Sequence, residues 1–480
     1  MRNTFVTQFP TMKSLKSNIA TFLAAIFALT MGGCSKEFDS SDFTAYFGGE
    51  VTNRTGDFVV IYKGEQFIDS IEIGRDNRFF KKFDSLAPGM YTFKHDPEFQ
   101  YVYFDKNDSL MVSINSRDFD ESIVFSGRGD QKNNFLMEFW LRNEKDRDNM
   151  FQVYERDLPD FNSAIDSIYR RNSKFYIQNK QEYKWHDDFD QYARALLEFP
   201  HFSRKELYPL IHQMRTGRDV VERIPPDYYA YRKKIDFNNS ALSGFSPFVR
   251  YLSFMLNNMA SINYHNHFTQ QDLALKTNTN KLVIADTLIR NPEIRNAMLN
   301  NIAFNYLLED QNAGNNQKFL ETYNRLSTDV DQKREIMEIG KAINRLATGN
   351  ILPQVALVDA DGREVPSSVV AKGPCVIFFW TENAAAHLVE AHKKAIALKK
   401  RFPQYKFIAV NVDPNHDQWT EMLDKYNFGG IAQLRCKDFE DARLKWAITK
   451  IHRTIVLDER GRIKNAFTNL FDIGFDANLK

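Results

Sequence analysis

Val376-Ile377-Phe378-Phe379-Trp380-Thr381-Glu382-Asn383-Ala384 is the stretch on which the reading of this chain turns. Its first five residues are a short, continuous apolar run, as expected of a strand covered on both faces. Beyond it, Leu388, Ala391, Ala395 and Leu398 share one stripe of a helix, while Lys393, Lys394, Lys399, Lys400 and Arg401 lie largely outside that stripe. Phe407 to Val412 is a second apolar run, and Asp458-Glu459-Arg460-Gly461 is a turn between two strand-like runs. Alternating strand and helix imply a sheet with helices on its faces. The carboxyl ends of such strands are where open α/β sheets place their sites, so Thr381 is the position of interest.

Outward from this core the pattern continues. Gly349-Asn350, Leu352-Pro353, Val358-Asp359-Ala360-Asp361-Gly362 and Gly373-Pro374-Cys375 precede the strand. Gln418 to Phe428 reads as a helix and Thr454 to Ile463 as a closing hairpin. In this order the pieces resemble the TlpA-like thioredoxin lipoproteins of Gram-negative bacteria, over residues 348–480. The resemblance implies a C-terminal α/β thioredoxin-like domain. It also implies a Trp-Cys-x-x-Cys motif after the central strand and a cis-proline facing it. Here Thr381 and Ala384 occupy the two cysteine positions, and His452 occupies the cis-proline position.

Those departures remove chemistry. A helix start lowers the pKa of a cysteine placed there, and the thiolate attacks a disulfide that a second cysteine then resolves. A threonine hydroxyl stays protonated and cannot exchange disulfides, and alanine has no nucleophile. A non-proline residue strongly disfavours a cis bond. No catalytic residue is therefore assigned, and the motif reads as a degenerate active site. Thr381→Cys with Ala384→Cys would put two sulfurs one helical turn apart. Glu382 suits the dipole of a helix start without a catalytic role. Only Arg462 to Lys480 follow Gly461, which leaves little room for the family's last helix, so the expectation is either a sheet without cover on one face or cover from another domain.

The chain has 3 cysteines. Cys375 and Cys436 sit in strand-like segments and read as small buried hydrophobes, with a relocated redox pair or a structural disulfide as the alternatives. Cys34 belongs to the N-terminal signal. Met12-Lys13-Ser14-Leu15-Lys16 is a positive region, Ile19 to Met31 is apolar, and Gly32-Gly33-Cys34 ends it. That run is short against the roughly 20 residues of a transmembrane helix. Small residues directly before a cysteine resemble a lipobox, which implies acylation at Cys34. Residues 1–33 then read as a lipoprotein signal peptide and 34–42 as a tether, with placement at the outer membrane facing periplasm or cell surface.

The remainder reads as two further domains, a multidomain α+β chain in all. Residues 43–128 carry short strand-like runs, from Phe58-Val59-Val60-Ile61-Tyr62 to Ile123-Val124-Phe125, at the spacing of a β-sandwich. Residues 129–347 turn helical, with Asn291-Pro292 and Asp329 as helix starts and Ile336, Ile339, Ile343 and Leu346 on one face. The 480 residues hold 63 basic and 62 acidic side chains, a net charge of +1, so no electrostatic footprint for nucleic acid exists. The 41 Phe and 20 Tyr point to aromatic packing between helices. His265-Asn266-His267 lacks the ligands of a closed metal site. Trp185-His186-Asp187-Asp188 reads as a helix start with acids at its N-terminus, and His387 and His392 do not share a helix face. No metal or cofactor is expected. The leading expectation is a cell-envelope lipoprotein whose thioredoxin-like domain is redox-inactive and serves binding or scaffolding, its envelope partner unidentified. The alternative is a thiol–disulfide oxidoreductase with non-standard cysteine use.

Overall fold

A computed structural model describes residues 43–64, 66–96, 98–262, 270–309, 312–426, 428–448 and 450–480. The signal, Cys34, the tether and His265-Asn266-His267 lie outside these described residues.

Eight strands come first: β1 (Ala45–Thr52), β2 (Phe58–Lys63), β3 (Gln66–Glu72), β4 (Arg78–Phe83), β5 (Gly89–His95), β6 (Glu98–Phe104), β7 (Ser109–Asn115) and β8 (Val124–Arg128). They form two four-stranded sheets, ordered β4-β1-β7-β8 and β3-β2-β5-β6. Residues of both sheets share one core, in which Phe47 of β1 meets Phe93 of β5 at a centroid distance of 5.7 Å. β1 is the strand that the alternation of the sequence does not announce, because Gly48-Gly49 interrupt it. The sheet explains those glycines. β1 is central, and a Cβ at Gly49 would stand 2.0 Å from the Val112 carbonyl oxygen on β7.

β6 turns its other face to the helices that follow. Tyr103 packs on Phe189 at 5.0 Å and Tyr101 on Phe245 at 4.9 Å. Nine α-helices run from Asp130–Lys145 to Val330–Arg345 among the described residues. Several of their starts follow from local sequence. Asn291 Oδ1 accepts from the Glu293 and Ile294 amides at 3.0 and 3.3 Å, with Pro292 at the first helical position. Asp329 Oδ1 accepts from the Gln332 amide at 2.9 Å. His186 immediately precedes the helix Asp187–Thr216, whose first turn carries Asp187, Asp188 and Asp190. Asp190 is committed to structure, accepting from Trp185 Nε1 at 2.8 Å and pairing with Lys180 at 2.7 Å.

The C-terminal sheet has seven strands: β9 (Ala356–Val358), β10 (Glu364–Pro366), β11 (Cys375–Trp380), β12 (Lys406–Asn411), β13 (Ala432–Cys436), β14 (Arg453–Leu457) and β15 (Ile463–Asn469). Their order is β10-β9-β13-β12-β11-β14-β15. β11, β12 and β13 are parallel, and β14 and β15 close the sheet antiparallel. This is a thioredoxin-like arrangement, and β11 is its central strand, buried at every position. Val376, Phe378 and Trp380 face the helix Ala385–Arg401 through Leu388, Ala391, Ala395 and Leu398. The opposite face carries Ile377 and Phe379, with Trp446 beside Phe379 at 6.0 Å. That face shares one continuous core with Ile336, Ile339 and Ile343 of the helix Val330–Arg345. The preceding helices thus cover this second face. In place of a last helix there is a 3-10 turn, Phe475–Leu479, with Phe475 and Leu479 buried against the first face.

Candidate functional site at the carboxyl end of β11

The turn after β11 differs in one respect from the helix start expected at Thr381. Glu382–Ala384 is a 3-10 turn, and the α-helix proper begins at Ala385. What fixes the turn is a residue that the sequence does not advertise, Asp413. Pairing of β11 with β12 sets Trp380 opposite Asn411, which brings Asp413 beside Thr381. The Thr381 hydroxyl donates to Asp413 Oδ1. The Glu382 amide donates to Asp413 Oδ2 at 2.8 Å, and Asn411 Nδ2 donates to the same oxygen at 2.8 Å. The Asp413 amide in turn donates to Asn411 Oδ1 at 3.0 Å. Behind the loop, buried Arg435 donates through Nη1 to the carbonyls of Asp413 and Pro414 at 3.2 and 3.1 Å. A carboxylate therefore holds the helix-start amide, where an active thioredoxin-like site would favour a thiolate. Only the strand register could have revealed this, since Asp413 looks like any polar residue after a strand.

His387, in the first turn of the helix, is half-buried. Its pKa is lowered, first by loss of solvent and then by repulsion from His452 and His392. His452 is thus near enough to act on His387, and it is exposed. His392 takes no part in this surface. It is buried, with Nδ1 2.7 Å from the Leu388 carbonyl and Nε2 3.1 Å from Gln433 Nε2. Thr381 and Glu382 are partly buried, and Ala384 is likewise intermediate.

The two described cysteines are far from this turn in chemistry and from each other in space. Both are buried and free. Burial pushes each thiol up to about 12, against which Lys406 acts weakly at Cys375 and Arg435 at Cys436. β12 lies between their strands, a lateral separation of roughly 10 Å. Cys375 pairs with Lys406 at the start of β12, whereas Arg435, one residue before Cys436, pairs with Asn411 at its end. A disulfide needs Cα atoms within about 7 Å, so neither a structural disulfide nor a relocated redox pair fits this sheet. Among the described residues no group of three or more His, Cys, Asp or Glu could hold a metal ion, and no helix is long and apolar enough to cross a membrane.

The sheet order and the turn after its central strand give this part of the chain a thioredoxin-like fold. No protein-family model matches this chain, and no curated protein matches it. Solved structures do resemble parts of it. The thioredoxin domain of a thiol–disulfide oxidoreductase from Bacteroides vulgatus is 17% identical, spanning 24% of this chain and 85% of that one, with a TM-score of 0.22. A thiol:disulfide interchange protein from Bacteroides sp. is 15% identical, spanning 25% of this chain and 84% of that one, with a TM-score of 0.22. A thioredoxin-like protein from Bacteroides caccae is 13% identical, spanning 56% of this chain and 89% of that one, with a TM-score of 0.33.

Proposed function

We propose that this chain is a cell-envelope lipoprotein whose thioredoxin-like domain binds or scaffolds envelope proteins without exchanging disulfides. The observation that carries the reading is the carboxylate of Asp413 on the Glu382 amide and the Thr381 hydroxyl. A helix start already neutralised by a fixed anion has no use for a thiolate, and a hydroxyl at that place is a structural donor. Acylated Cys34 anchors the protein at the outer membrane, on its periplasmic or its outer face, and two or three acyl chains suffice for stable anchoring. The thiol–disulfide oxidoreductase reading would have to use Cys375 or Cys436, both sealed in the sheet.

The test is reduction of insulin disulfides with dithiothreitol as electron source. The expected result is no turnover above the uncatalysed rate. Turnover that disappears in Cys375→Ser or Cys436→Ser would overturn the proposal in favour of the oxidoreductase. Anchoring is read separately by fractionation: Cys34→Ser should leave the membrane fraction or remain unprocessed, and a mature-size band that still sediments with membranes refutes the lipid anchor.

A further inference from the structure

Arg204 is a buried charge with no carboxylate partner. It lies on the helix Asp187–Thr216 and is 6% exposed. Among the described residues its side chain makes no hydrogen bond and no ion pair, and its nitrogens are not among the fully sealed polar atoms, so they open onto unfilled space. A buried guanidinium has five donors and cannot shed its proton, and an unpaired buried charge is costly. A side chain kept in that state needs a reason.

Its surroundings supply one. Arg204 lines a cavity of 210 Å³ between three segments of the helical domain. One wall is the stripe Leu196, Pro200, Ser203, Arg204 and Leu207, which is a single face of the helix by its spacing. A second wall is the start of the helix Ser246–Ile262, with Pro247, Arg250 and Phe254. The third runs from Trp140 and Asn143 to Arg147, Met150 and Tyr154. The body of the cavity is apolar, and three guanidinium groups reach it.

The local charge is positive. Asp146 is the carboxylate whose field reaches Arg204. It is already engaged by Arg171 and by Asn172 Nδ2 at 3.0 Å. Arg147 is paired with Glu144 at 2.6 Å. Arg250 is exposed at the rim. Two carboxylates thus face four arginines; Arg204 and Arg250 are left without a carboxylate, and Arg204 is the deeper of the two.

We infer that this cavity is a binding site for a small organic monocarboxylate with an apolar body, its carboxylate held by Arg204 and its body by Trp140, Leu207 and Phe254. The planar guanidinium matches a carboxylate in a two-pronged pair. The apolar walls select against a bare, strongly hydrated anion. The volume is below the roughly 300 Å³ at which drug-sized pockets begin, so the ligand is small. Ser203, buried next to Arg204 on the same face, can donate to the second carboxylate oxygen. The first turn of the helix Ser246–Ile262 adds a favourable dipole. This site is separate from the turn after β11 and does not depend on the function proposed for it.

The experiment is isothermal titration calorimetry of the full-length protein with phenylacetate, phenylacetamide and inorganic phosphate as probes. Saturable binding of phenylacetate is expected, with phenylacetamide at least tenfold weaker and phosphate without measurable heat. Arg204→Met keeps the apolar stem and should lose at least tenfold in phenylacetate affinity while the circular dichroism spectrum is unchanged. Arg250→Ala, at the rim, should lose about threefold. Absence of saturable phenylacetate binding overturns the inference, as does equal binding of the neutral amide, tighter binding of phosphate, or an Arg204→Met protein that binds as the parent does. If Arg204→Met fails to fold, the comparison of acid with amide on the unaltered protein still decides the matter.

Discussion

Thr381→Cys places a thiol where the carboxylate of Asp413 is already hydrogen-bonded, and its ionisation measures how far this site has departed from redox use. The Thr381 hydroxyl and the Glu382 amide both donate to Asp413, the latter at 2.8 Å. A thiolate at position 381 would therefore lie within about 4 Å of that carboxylate. Two like charges at about 4 Å repel by about 4 kcal/mol at an effective dielectric near 20. Thr381 is partly exposed, and Arg435 contributes a cation to the same loop, so about half of that figure is retained, roughly 2 kcal/mol or 1.5 pKa units. The helix start returns about 0.5 kcal/mol, and Asp413 already occupies its amide. The introduced thiol should thus ionise about one unit above the ordinary thiol value near 8.5, whereas reactive cysteines at helix starts lie below about 7.5. Adding Asp413→Asn removes the charge and should bring the value back to about 8.5 or lower. The assay is the pH dependence of iodoacetamide alkylation in a Cys34→Ser background, followed by mass spectrometry. Cys375 and Cys436 stay silent in the folded protein because they are buried. A midpoint below about 7.5 with Asp413 intact, or no change on Asp413→Asn, refutes the account of the turn. With Ala384→Cys also present, insulin reduction should emerge only when Asp413 is replaced.

Gly49→Ala should destabilise the β-sandwich by about 3 kcal/mol, since its Cβ would meet the Val112 carbonyl at 2.0 Å and backbone must move; a urea midpoint unchanged from the parent contradicts the central placement of β1. His201 is pushed down to about 4, chiefly by burial and against the pull of Asp166. Between the unfolded value near 6.5 and about 4 the unfolded chain takes a proton that the folded chain refuses, so stability contributed by neutral His201 is present above about 6.5 and is lost as pH falls. His201→Phe keeps the ring that packs on Tyr169 at 4.7 Å and should flatten this acid loss in urea melts at pH 7 and pH 5. Asp108, pushed up to about 6 by burial, works the other way, its contribution being lost as pH rises from about 4 through 6, so the two effects separate only when His201 is changed alone.

Much of this architecture was legible in the residues. The apolar run from Val376 to Trp380, the stripe through Leu388 and Leu398, and the turn at Asp458 to Gly461 have the periods that strands, helices and turns require, and those elements stand where the pattern put them. Asn291-Pro292 and Asp329 begin helices because their side chains meet the orphan amides of a first turn, which is a local interaction. β1 escaped because Gly48 and Gly49 are there for a neighbouring strand's backbone, and that neighbour is not adjacent in sequence. The helix Asp187–Thr216 runs through Pro200 and Pro209, where local rules alone would have broken it.

The sequence by itself determined that a buried strand runs from Val376 to Trp380 and that Thr381 and Ala384, not cysteines, follow it, because residue identity and local period need no tertiary information. It also determined the absence of any Cys-x-x-Cys motif. Only the tertiary structure decided what occupies that place instead. The pairing of β11 with β12 delivers Asp413 to the helix start, the strand register keeps Cys375 and Cys436 apart, and the fold of the helical domain leaves Arg204 buried without a partner. Each of these depends on which segments meet across long stretches of chain, and that choice is made by burial of the whole apolar surface rather than by any short run of residues.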